Sequence, residues 1–143
     1  MADDGLSHDP VPYVRTVARF ADGYGFEARV VEVDGAVAVA VAGEIDMATA
    51  GFFQQAIDRA GRGDGRVMID LASTTFMDSS GLAVLIGAYD RLGRQQDAVV
   101  LRGAGPPIRQ ILEVSGLDRI VTVITDPVLI PGSNGATGSA IPT

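Results

Sequence analysis

Arg66-Val67-Met68-Ile69-Asp70-Leu71 reads as a buried strand, and Met77-Asp78-Ser79-Ser80-Gly81-Leu82 just downstream opens an apolar-periodic helix. Between them Ala72 to Met77 reads as a loop. Asp78 suits the N-cap of a helix from Ser79 to about Leu92, with Leu82, Leu85, Ile86, Tyr89 and Leu92 as the buried stripe and Gly93 as the stop. Upstream, Ala36 to Ala42 is a continuous apolar run, expected of a central strand covered on both faces. Phe26 to Val33 alternates, and Asp34-Gly35 joins the two as a tight hairpin turn. Asp46 is placed to N-cap a helix from Met47 to Ala60, whose apolar residues are Phe52, Phe53, Ala56, Ile57 and Ala60. Downstream come a strand from Ala98 to Leu101, a helix from Pro106 to Val114, and a strand from Ile120 to Ile124. Tyr13 to Phe20 carries Val14, Val17 and Ala18 at helical spacing and is expected to form a helical turn or two. The order β-β-α-β-α-β-α-β predicts an α/β fold: a mixed sheet with an N-terminal hairpin, parallel βα units and helices mostly on one side.

Composition narrows the function. With 143 residues and 47% apolar content, the chain has enough material for one globular core. A net charge of −7 argues against direct DNA binding and against an anionic-membrane binder. The chain has no cysteine, which removes disulfides, thiolate catalysis and Cys-type zinc sites. It has no lysine either, and its apolar runs are too short to insert in a membrane. A cytoplasmic protein with no cofactor and no metal is the expectation.

The candidate chemistry centres on Asp78, Ser79 and Ser80. Free first-turn N–H groups and the helix dipole favour negative charge at a helix start, so a phosphoryl group on either hydroxyl would be well received there. Simple capping accounts for the same three residues. Periodicity places Ser80 opposite the buried stripe and Ser79 at its edge, which does not choose between them. Glu44 and Asp46, at the strand-to-helix turn on the same sheet end, read either as cap and solvated charge or as a partner-facing acidic edge. Asp70 alternates with Val67, Ile69 and Leu71 and is expected as a hydrogen-bonded residue of the sheet. Enzyme chemistry fails on parts. The one histidine, His8, lies in an acidic N-terminal stretch, no phosphate-cradling loop with lysine exists, and the segment around Ser79 lacks the first glycine of a nucleophile elbow.

Phe76-Met77-Asp78-Ser79-Ser80-Gly81-Leu82 closely resembles the phosphorylation site of bacterial anti-sigma factor antagonists, the STAS-domain family. Val41-Ala42-Gly43-Glu44-Ile45-Asp46 resembles the strand end before that family's first helix, and Val114-Ser115-Gly116-Leu117 the end of its third. The resemblance implies that Ser79 is the phosphorylated serine, with Ser80 as second choice. It also implies that Glu44, Asp46, Asp78, Ser79 and Ser80 form the surface met by an anti-sigma factor that is also a serine kinase. The protein would then be no enzyme but a regulator that binds when unphosphorylated. Two relatives' roles stay open beside this: scaffold subunit of a stress-signalling assembly, and accessory protein of a transporter. The oligomeric state stays open too. The expected organisation is an N-terminal extension over 1–25, the domain over 26–126, and a disordered tail over 127–143. Pro127 and Pro131 interrupt the stretch where many members carry a final helix.

Overall fold

The computed structural model describes residues 13–62 and 65–125. Strands β1 (Val14–Ala21), β2 (Glu27–Val33) and β3 (Ala36–Ile45) come first, then helix α1 (Ala50–Ala60). Strand β4 (Val67–Met77), helix α2 (Ser79–Arg91), strand β5 (Val99–Arg102), helix α3 (Pro106–Ser115) and strand β6 (Thr122–Ile124) follow. The strands form a six-stranded sheet in the order β1-β2-β3-β4-β5-β6. β1, β2 and β3 pair antiparallel, while β3 through β6 pair parallel. The predicted mixed sheet is thus present, with one more strand than expected.

That extra strand corrects the helical reading of Tyr13 to Phe20. β1 pairs with β2 from Val14↔Val33 to Ala21↔Glu27, with a register shift between Thr16 and Ala18. A bulge inserts one residue and breaks the period-two alternation. The bulge switches faces instead: Val14 packs on the far side of the sheet while Val17 and Ala18 pack on the main core, so their helical spacing does not mark one buried face. Exposed cross-strand ion pairs, Arg15 to Glu32 at 2.7 Å and Arg19 to Glu27 at 2.6 Å, tie β1 to β2. The sheet therefore begins inside the stretch read as an N-terminal extension. The expected tail over 127–143 lies outside the described residues, as does His8.

The turn between β2 and β3 is as predicted. Asp34 and Gly35 have φ of 50° and 86°, the left-handed pair of a type I′ turn, whose twist matches that of the flanking strands. The main core lies between the helices and one sheet face. Alternate strand residues Val30, Val39, Val41, Val67, Ile69, Leu71, Val99 and Leu101 meet Phe53, Ile57, Leu85, Ile108 and Leu112 there. Each of these side chains contributes about 2 kcal/mol by leaving water. Val31, Ala38 and Ala40 form a smaller buried cluster with Val14, Val33 and Met68 on the other face.

Three further expectations change. Ala72 to Met77 is not a loop, because β4 continues to Met77. Its partner β3 also runs on, to Ile45, and two register shifts keep the strands paired past Gly43. The stripe of α2 is rotated from the predicted one. Gly81, Val84, Leu85 and Ala88 are buried, Leu82, Tyr89 and Leu92 only partly so, and Ile86 is 45% exposed. Large apolar side chains were the guide in the sequence, but small ones let the helix approach the sheet. A Cβ on Gly81 would lie 2.6 Å from Met77 Cγ and 2.8 Å from Ile45 Cγ2. The last strand starts at Thr122 rather than Ile120, behind a 3₁₀ turn over Leu117–Arg119.

Candidate functional site

The parallel pairing of β3 and β4 builds the site. Glu44 stands opposite Phe76 and Ile45 opposite Met77, so both strands end at the same level. The Asp78 N–H donates to Ile45 O at 3.1 Å, which ties the start of α2 to the end of β3. Glu44, Asp46, Asp78, Ser79 and Ser80, expected at one sheet end, are all brought there.

Asp78 caps α2 as predicted. Its backbone is extended, at φ −113° and ψ −166°, and its side chain accepts the Ser80 N–H at 2.8 Å. Its carbonyl accepts from Gly81 at 3.1 Å and Leu82 at 3.3 Å. Ser79 is the first helical residue and is exposed, while Ser80 is half-buried. Exposure thus separates two hydroxyls that spacing could not. The Ser79 side chain is open to solvent. No His, Cys, Asp or Glu grouping fit to hold a metal exists among the described residues.

Asp46 departs from its expected role. α1 starts at Ala50, not Met47, and its N-cap is Thr49, with no side-chain cap. Asp46 instead holds the turn before the helix. Its Oδ1 accepts from the N–H groups of Ala48 at 2.9 Å and Thr49 at 3.2 Å, and its carbonyl accepts from Ala50 at 2.8 Å. An aspartate bonding the amides two and three residues on makes an Asx turn, which competes with helix over just these residues. Glu44 is exposed, and no side-chain hydrogen bond or ion pair holds it among the described residues.

Three residues missed in the sequence fix this geometry. Thr49 is 5% exposed; its hydroxyl donates to Glu44 O at 2.7 Å and accepts from the Asp46 N–H at 3.0 Å, so it sets the whole acidic turn. The spacing Asp46-x-x-Thr49 was the available signal. Gly43 has φ +101°, and a Cβ there would lie 2.6 Å from the carbonyl oxygen of Gly25, so only glycine lets the β1–β2 turn close on β3. Gly81 seats α2, as described above. Asp70 is fully buried, and its Oδ1 accepts the Ala72 N–H at 2.9 Å, as expected of a residue bonded into the sheet.

A family model for the STAS domain matches residues 27–128. The chain belongs to the STAS-domain family. It is 37% identical over 84 residues to an anti-sigma-B factor antagonist of Listeria monocytogenes, covering 58% of this chain and 74% of the relative. It is 29% identical over 96 residues to an anti-sigma F factor antagonist of Paenibacillus polymyxa, covering 66% and 82%. The fold superposes on the crystal structure of an anti-sigma factor antagonist from Mycobacterium paratuberculosis with a TM-score of 0.64 and 31% identity, over 76% of this chain and 92% of that one. The mixed sheet with its three helices is thus a STAS fold, and its relatives are regulators by name. No helix among the described residues is long and apolar enough to cross a membrane.

Proposed function

We infer that this STAS domain is a cytoplasmic, non-enzymatic anti-sigma factor antagonist that works by partner switching. Unmodified, it binds an anti-sigma factor that is also a serine kinase, and phosphorylation of Ser79 ends that binding. The observation that carries the reading is the exposed Ser79 hydroxyl on the first turn of a helix capped by Asp78, in a chain related to anti-sigma factor antagonists. Glu44 and Asp46 on the neighbouring turn complete the partner surface.

The physics of the switch is local. A phosphoserine adds about −1.5 to −2 charges at pH 7. The first-turn amides and the helix dipole receive that charge, so the domain stays folded. The Asp78 carboxylate one residue away makes the site doubly acidic. A partner surface fitted to a neutral hydroxyl then meets a bulky, hydrated anion, and only the interface free energy changes. The test is incubation with the kinase and ATP, followed by phosphopeptide mapping and binding assays. Ser79→Ala binds constitutively and Ser79→Glu binds poorly. Phosphate on Ser80 alone moves the site by one residue. Phosphate on neither serine, with both variants binding like wild type, ends the partner-switching reading.

A further inference from the structure

Six large apolar side chains are exposed among the described residues: Tyr13, Tyr24, Met47, Phe76, Ile86 and Val114. Three of them share one end of the sheet. The β1–β2 turn reaches that end because Ala21 pairs with Glu27, Glu27 with Ala42, and the β3 strand then runs on beside β4 to Ile45↔Met77. Tyr24 sits on this turn at 93% exposure, Met47 on the turn after β3 at 84%, and Phe76 opposite Glu44 at 46%. A cleft of about 340 Å³, lined by Tyr24, Glu44, Asp46 and their neighbours, joins the first turn to the second.

Scattered exposed apolar residues need no explanation, whereas a grouped set beside a polar site marks a binding surface. The backbone at Tyr24 is also held in place. Asp22 Oδ1 accepts the N–H groups of Tyr24 at 2.7 Å and Phe26 at 3.0 Å, and Gly43 lets the turn close on β3. The backbone that presents the ring is therefore already ordered, so binding need order only the side chain.

We propose that the partner-binding surface of this chain extends from Ser79 across Phe76 and Met47 to Tyr24, and that Tyr24 and Met47 are its apolar anchors. The occupant is the anti-sigma factor, so the proposal rests on the function inferred above. Its matching face carries apolar pockets for these two side chains and a basic rim for Glu44 and Asp46. The acidic residues supply steering and specificity, and the anchors supply the affinity. Phosphorylation at one edge of such a surface weakens binding without touching the anchors at the other.

The experiment measures binding to the purified anti-sigma factor kinase of the same cell by calorimetry, for wild type, Tyr24→Ala, Met47→Ala, Val114→Ala and Ser79→Glu. Tyr24→Ala and Met47→Ala are expected to weaken binding at least tenfold each, as truncated hot spots do, with melting temperatures unchanged. Val114→Ala, an equally exposed residue on α3, leaves affinity within twofold. If Ser79→Glu abolishes binding while Tyr24→Ala and Met47→Ala bind like wild type, the anchors are refuted and partner switching stands. If wild type neither binds nor is phosphorylated, both fall. Self-association in sedimentation that Tyr24→Ala abolishes would assign the patch to a second copy of the chain and overturn the proposal.

Discussion

Replacing Asp78 by alanine tests the site where stability and switching meet. The carboxylate of Asp78 accepts the Ser80 N–H at 2.8 Å, and alanine leaves that amide without a side-chain acceptor at the start of α2. Removal of an N-cap oxygen costs about 1 kcal/mol. Loss of the negative charge at the dipole's positive end adds about 0.3–1 kcal/mol at a surface site. The total of roughly 1.5 kcal/mol corresponds to a fall in Tm of about 5 °C for a domain of this size. Asp78→Asn separates the two contributions, because the amide oxygen still caps while the charge is gone. It should lose about a third of what alanine loses. Asp78→Ser, a capping residue of equal rank, should behave like Asn. Urea denaturation followed by circular dichroism gives all three values at one m-value. Raising the salt concentration should narrow the gap between wild type and Asp78→Asn, since only the charge contribution is screened. An Asp78→Ala variant as stable as wild type, or an Asn variant as damaged as the alanine one, would refute the cap as the reason for the helix start.

The remaining expectations follow from the same geometry. Thr49→Val keeps the shape but removes the donor to Glu44 O and the acceptor for the Asp46 N–H. It should cost about 1–3 kcal/mol and loosen the acidic turn, read by denaturation and by faster amide exchange over residues 46–49. Gly81→Ala puts a Cβ 2.6 Å from Met77 Cγ and 2.8 Å from Ile45 Cγ2, so it should destabilise by about 1–3 kcal/mol despite the better helix propensity of alanine. A neutral or stabilising result would show that α2 can back away from the sheet. Glu44→Ala, at an exposed position, should stay within about 0.5 kcal/mol of wild type in stability while weakening partner binding.

Where burial alternates cleanly or a turn has its own chemistry, the sequence carried the structure. Asp34-Gly35 fixed a hairpin because few other pairs accept two left-handed residues in succession. Ala36 to Ala42 announced a central strand by being apolar on both faces. Asp78 announced a helix start because an oxygen at that place satisfies a first-turn amide. These are local rules, legible in any context. β1 is hidden by its bulge, because the inserted residue swaps the faces between Val14 and Ala18 and no period of two runs through the strand. The stripe of α2 is illegible because its buried residues include Gly81, which lies close against the ends of β3 and β4, and Ala88, neither with much hydrophobicity of its own. Asp46 was assigned to the helix cap when its carboxylate holds a separate turn set by Thr49, a contact that depends on where the end of β3 passes. The order of exposure at Ser79 and Ser80, and the gathering of Tyr24, Met47 and Phe76 at the same sheet end, likewise follow from strand pairing across the sheet. Local chemistry determined what the elements are and what the serine pair could receive; only the tertiary structure decided which hydroxyl faces outward and what stands around it, because exposure depends on neighbours far away in the chain.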